Sequence, residues 1–247
     1  MVGGTARLIQ MMHRAVLSIV AGLAVILAAA PIAQAQIKTY PVNVGGKPIN
    51  LVIDPDQCLL DRNNPSDVRV WQLVEHAIAG QNELLLAAAD CKQIGPWRAG
   101  ARPTLDDFTQ VQVNLSLKEQ DFTGQEASLP RGICAQLRSQ GDSIASGTQI
   151  KEMRDRFNKS TDNVRLNETT FIGVVHEDDQ GCYASLVQKV QTDQGKDKLI
   201  LSVFAHVVVK GRLLYIYRYT EGQRFDDMVR LLELLRASVA AHLDVNR

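Results

Sequence analysis

Four apolar runs decide the fold: Thr170-Phe-Ile-Gly-Val-Val-His176, Cys182-Tyr-Ala-Ser-Leu-Val-Gln-Lys-Val-Gln-Thr192, Lys198-Leu-Ile-Leu-Ser-Val-Phe-Ala-His-Val-Val-Val209 and Arg212-Leu-Leu-Tyr-Ile-Tyr-Arg-Tyr-Thr220. Each is rich in β-branched and aromatic residues, and each is bounded by turn residues. The connections are Glu177–Gly181, Asp193–Lys196 and Lys210-Gly211. Links this short cannot carry a parallel crossover, so the four strands form an antiparallel meander.

Outward from this meander, the chain closes on an amphipathic helix over about Arg224–Val245. Its stripe is Phe225, Met228, Val229, Leu232, Leu235, Val239 and Leu243, wide enough to cover one sheet face. Upstream, 118–169 is polar and reads as helices, one of them over Gln149–Asn158. Phe108–Leu117 alternates as a half-buried strand does, and Glu83–Ala89 reads as a short buried strand before Asp90-Cys91. Asn63-Asn-Pro-Ser-Asp67 opens a helix carrying Val68, Trp71, Val74, Ala77 and Ile78, which ends near Gly80. Ile37–Ile53 is a hairpin about Gly45-Gly46, and Trp97–Pro103 is an irregular connection. The expected fold is α+β: one antiparallel β-sheet flanked by helices, in a single domain over 36–247.

The preceding 1–35 reads as a secretory signal peptide. Arg7 and Arg14 supply its positive region, Ala15–Ala30 its apolar core, and Ala33-Gln34-Ala35 its small-residue cleavage site. The core is shorter than the roughly 20 residues a spanning helix needs. Cleavage before Gln36 is therefore favoured over retention as an anchor, which places the mature protein in the periplasm or outside the cell, with no stable membrane insertion. The whole chain has 27 basic and 27 acidic residues, and removal of 1–35 leaves a net charge of −2. Such a balance excludes a strongly basic nucleic-acid binder.

Cys58, Cys91, Cys134 and Cys182 all lie in the exported part. An even count in an oxidising compartment points to disulfides, with three connectivities open. Cys58–Cys91 with Cys134–Cys182 is favoured, because the first bridge closes a strand–helix–strand unit. No C-x-x-C spacing points to redox or zinc chemistry.

The pattern Cys182-Tyr183, Leu199-Ile-Leu-Ser-Val-Phe204 and Val208-Val-Lys-Gly-Arg-Leu-Leu-Tyr215, followed by the closing helix, resembles the PsbP/Mog-type α/β/α sandwich over about 80 of the 212 mature residues. Cys58-Leu-Leu-Asp61, Leu85-Leu86, Asp90-Cys91 and Trp97-Arg-Ala-Gly100 are also similar to a family of uncharacterised secreted bacterial proteins. The sandwich resemblance implies an accessory or binding protein rather than an enzyme, and assigns no site residue.

Chemistry-bearing residues are sparse. Trp97, Arg98 and Arg102 form the most site-like group, since an arginine beside an aromatic ring suits an anionic or planar ligand. Their other reading is a core-edge tryptophan with arginines paired to acids. His176-Glu-Asp-Asp179 reads as a solvated acidic turn rather than a cation site. His206 reads as partly solvated, and His76 and His242 as helix-surface positions. No G-x-S-x-G elbow occurs, and no catalytic, metal or cofactor residue is assigned. The leading expectation is an exported non-catalytic protein that binds a small ligand or an unspecified protein partner. The alternative is an exported hydrolase using His176 or His206 with nearby acids.

Overall fold

The structure is a computed structural model that describes residues 38–247 apart from 103, 146, 162, 163, 193, 194 and 223. The expected signal peptide lies outside the described residues. The order is β1 (Lys38–Val44), β2 (Lys47–Ile53), β3 (Gln57–Leu59), α1 (Pro65–Ile78), β4 (Asn82–Asp90), α2 (Cys91–Arg98), β5 (Asp107–Asn114), α3 (Ser128–Ala145), α4 (Thr148–Ser160), β6 (Val164–Glu177), β7 (Cys182–Thr192), β8 (Asp197–Val209), β9 (Arg212–Glu221) and α5 (Phe225–Asp244). This is the α+β class expected. Strands β3-β4-β5-β9-β8-β7-β6 make one antiparallel sheet in that spatial order, and β1-β2 is a separate hairpin.

Local chemistry accounts for the elements. Asn64 caps α1 by accepting from the backbone N–H groups of Ser66 and Asp67, with Pro65 at the first helical position. Lys210 and Gly211 both have positive φ, the two-residue turn whose twist matches the strands it joins. Gly45 is required twice over: its φ is +52°, and a Cβ there would lie 2.1 Å from the Lys118 carbonyl oxygen.

Two expectations of element extent are corrected. Of the segment read as irregular from Trp97, only Trp97 and Arg98 are helical: they end α2, which is started by Asp90, whose side chain accepts from the Lys92 N–H at 2.7 Å. Pro96 lies inside it and leaves the Lys92 carbonyl without its helical donor, and the helix ends two residues later. Strand β6 begins at Val164 rather than Thr170. Asn158 holds this start in place, exchanging two side-chain hydrogen bonds with the Leu166 backbone.

Strand alternation separates two cores. Val203, Ala205, Val207 and Val209 of β8, Leu214 and Ile216 of β9, and Val111 and Val113 of β5 pack against Leu231, Leu235 and Val239 of α5. The β1-β2 hairpin completes that layer through Val44, Ile49 and Leu51. On the opposite face Trp71, Val74 and Ile94 of α1 and α2 cover β4. There α3 covers β6–β8, with Cys134 and Leu137 meeting Ala184 and Phe204, while α4 packs on α1 and on β6. The sheet is thus the middle layer of three.

Both disulfides tie the helical layer down. Cys58–Cys91 joins β3 to the start of α2, and Cys134–Cys182 joins α3 to β7. His242 is not the surface residue expected: it is fully buried, its Nδ1 donating to the Ser238 carbonyl at 2.8 Å and its Nε2 accepting from the Val52 N–H at 3.0 Å. The ring fastens the hairpin to α5, and burial lowers its pKa to about 4. Arg218, 1% exposed, fastens the hairpin's exit in the same way, donating to Asp54 and Asp56 at 2.7 and 2.8 Å. Among the described residues, no helix is long and apolar enough to cross a membrane.

Candidate functional site

The register places three rows of side chains on the helix-poor centre of the second sheet face. Phe108, Tyr219 and Ser202 form one row across β5, β9 and β8. Gln110, Tyr217 and Phe204 form the next, and Gln112, Tyr215 and His206 the last. Outside the rows the same face turns apolar, with Ala89, Ala87 and Leu84 on β4 and with Leu186, Ala184 and Cys182 on β7. Those flanks lie under α1–α2 and α3 respectively. The strip between them holds no Asp, Glu, Lys or Arg.

Its aromatic residues contact one another along the strip. Phe108 and Tyr219 are parallel with centroids 4.3 Å apart, and Tyr219 continues to Tyr217 at 6.0 Å. Phe204 meets Tyr217 at 5.4 Å, and His206 meets Tyr215 edge-on at 4.7 Å. Tyr215, Tyr217 and Tyr219 are half-buried, and burial raises the pKa of all three phenols. None of their hydroxyls bonds to another described residue. Ser202 is fully buried and its Oγ has no partner; the buried Nδ1 of His206 has none either. Gln112 donates to the Gln110 side-chain carbonyl at 2.7 Å and accepts from Asn82 at 2.9 Å, so the glutamines are ordered by the protein itself. Buried polar atoms are nearly always bonded in folded proteins; two unbonded ones lie in the strip, and Gln57, Thr109, Tyr183, Arg218 and Ser238 each contribute another elsewhere in the fold.

The residues expected from the sequence lie elsewhere. Trp97 and Arg98 occupy the last turn of α2. Arg98 donates to the fully buried Asp67 through Nε at 2.9 Å and again through Nη2. Arg102 pairs with Asp106 and donates to the Thr104 carbonyl at 2.8 Å, while Arg69 rather than Arg98 approaches the Trp97 ring, 5.9 Å from its centroid. The two arginines are held by separate carboxylates.

His176 has its Nε2 3.2 Å from Asp178 Oδ2, the same oxygen that Arg236 approaches at 3.4 Å. The other oxygen of Asp178 accepts from the Gln180 and Gly181 N–H groups. Glu177 pairs with Arg138 at 2.7 Å and Asp179 with Arg131. The acidic turn is therefore a set of ion pairs joining the hairpin to α3 and α5. His206 is kept neutral, burial lowering its pKa to about 4. Among the described residues, no group of three His, Cys, Asp or Glu is placed to hold a metal ion. A shallow depression of about 220 Å³ at Gly80, Gln81, Asn114 and Ser116 contains no titratable side chain.

The sequence carried one signal for the strip: Tyr215-x-Tyr217-x-Tyr219, three rings on one face of a single strand. A period of two places such residues together, but only the sheet order shows that they lie between two helical clusters, Phe108 packing against one and Phe204 and Tyr217 against the other.

No family model matches the chain, and neither does any curated protein. Among solved structures it is similar to the solution structure of cyanobacterial PsbP from Synechocystis sp. PCC 6803. The identity is 10%, with 86% of this chain and 96% of that chain covered and a TM-score of 0.36.

Proposed function

We propose that the chain is exported, is cleaved before Gln36, and acts as a non-catalytic binding protein whose small ligand lies on the strip of Tyr215, Tyr217 and Tyr219. The observation that carries this reading is the strip itself: three half-buried tyrosine rings on one face of β9, whose hydroxyls bond to no other described residue. Small-ligand sites have that make-up, a largely apolar lining with a few polar groups that orient the ligand. The histidines support binding over hydrolysis. His176 shares its carboxylate with Arg236, and the unbonded nitrogen of His206 is buried. The disulfides support export, since such bonds persist in oxidising compartments.

The test uses protein purified from its native envelope fraction. N-terminal sequencing should begin at Gln36, and native mass spectrometry should show a bound species that is lost from a Tyr217→Ala variant of unchanged circular dichroism. Wild type and variant carrying the same species, or neither carrying any, would remove the basis for the reading.

A further inference from the structure

We infer that the ligand of the strip is an uncharged aromatic compound of two or three rings bearing hydroxyl or carbonyl groups. This rests on the proposal that the strip is a binding site, and specifies its chemistry.

Charge is the first argument. No ionised side chain belongs to the three rows. The charged side chains that continue this face, Lys198, Asp106 and Glu221, are paired with one another, so an ion set on the strip would lose hydration with no free opposite charge to replace it, a cost that a neutral compound avoids.

Size comes next. Two steps of two residues along β9 span about 13 Å, and three strands span about 10 Å across, an area of roughly 130 Å². A stable protein partner needs about 800 Å² per side, so the strip suits a small molecule.

Ring orientation is the third argument. Parallel rings with centroids 4.3 Å apart, as in Phe108 and Tyr219, are too close to lie side by side on the sheet. They stand face to face and turn their edges outward. Ring edges carry the positive part of the aromatic quadrupole and attract the negative face of another ring. The strip therefore favours an aromatic plane laid over it, rather than a sugar that needs open ring faces. The last argument is polar: the hydroxyls of the half-buried Tyr215, Tyr217 and Tyr219 bond to no other described residue, which matches a compound carrying its own donors and acceptors.

The experiment is isothermal titration at pH 7 of the secreted, oxidised protein with three probes of one shape: 2-naphthol, 2-naphthoate and 2-naphthylmethylammonium. Naphthol should bind at least tenfold more tightly than either ion. Tyr217→Phe and Tyr219→Phe should each weaken naphthol three- to tenfold, and Tyr40→Phe on the hairpin should leave it unchanged. Ions that bind as tightly as naphthol, with the same dependence on Tyr217, would overturn the ligand class while keeping the strip as a site. Naphthol binding that ignores both strip substitutions, or that fails altogether, would overturn the inference and the site together.

Discussion

The two faces of the central sheet come from the same strands yet differ in nearly every physical respect. In β9, Leu214 and Ile216 face α5 and are fully or almost fully buried, while Tyr215, Tyr217 and Tyr219 face the other way and stay half-exposed. In β8, Val203, Ala205 and Val207 show no exposed surface, whereas Ser202 and His206 on the alternate positions keep unbonded polar atoms. The difference follows from what covers each face. A 20-residue helix and a hairpin close the first layer over the middle of the sheet. The helices of the second layer pack mainly on the flanks, each flank held by its own disulfide, and between them Gln110, Gln112, Ser202 and Phe204 are buried while the tyrosines stay half-buried. One face is therefore built for stability, and the other has chemistry to spare.

The largest effect that would break this contrast lies in the bracing of the flanks. Replacing Cys134 and Cys182 together by serine should cost about 4 kcal/mol, the loop-entropy value for a closure of 48 residues. Urea denaturation of the oxidised variant reads it directly. A loss below about 1 kcal/mol would mean that α3 is held by packing alone.

Next come single side chains on opposite faces. Leu235→Ala, beneath α5, should cost about 3 kcal/mol, because a fully buried leucine leaves a cavity. Tyr217→Phe should change stability by less than about 0.5 kcal/mol, since its hydroxyl has no protein partner to lose. Equal costs in the same urea titrations would erase the distinction between the faces.

The histidines sharpen it further. His242 and His206, one on each face, both have pKa values lowered by burial from 6.5 to about 4. In each case the unfolded chain binds a proton below pH 6.5 that the native state refuses. Stability is complete above pH 6.5 and falls as the pH drops to about 4, below which both states are protonated. Each histidine accounts for a loss on the order of 3 kcal/mol over that window. Substitution separates them. His206→Phe should flatten the acid slope with little cost at pH 7, because Nδ1 is unbonded. His242→Phe should flatten it too, but lose roughly 1–3 kcal/mol at pH 7 by orphaning the Val52 N–H. Urea midpoints at pH 7 and 4.5 distinguish the two outcomes.

Much of the architecture is legible in local pattern. The meander, the closing helix, the Asn64 cap and the Gly45-Gly46 hairpin all rest on interactions between near neighbours. Helix α2 was not, because the short helix is held from outside by Cys58–Cys91 and Arg98–Asp67. The candidate site was less legible still. Trp97, Arg98 and Arg102 stand out as residue types, but Asp67, 31 positions from Arg98, occupies its guanidinium. His242 reads as a surface residue on its own helix and is buried by a hairpin 190 positions away.

The sequence alone determined the α+β class, the order of most elements and which residues of each strand share a face, because turns, caps and side-chain period act over a few residues. Only the tertiary structure decided which face would be covered. That choice depends on where distant helices dock, and the tyrosines of β9 carry no local mark of having been left half-buried.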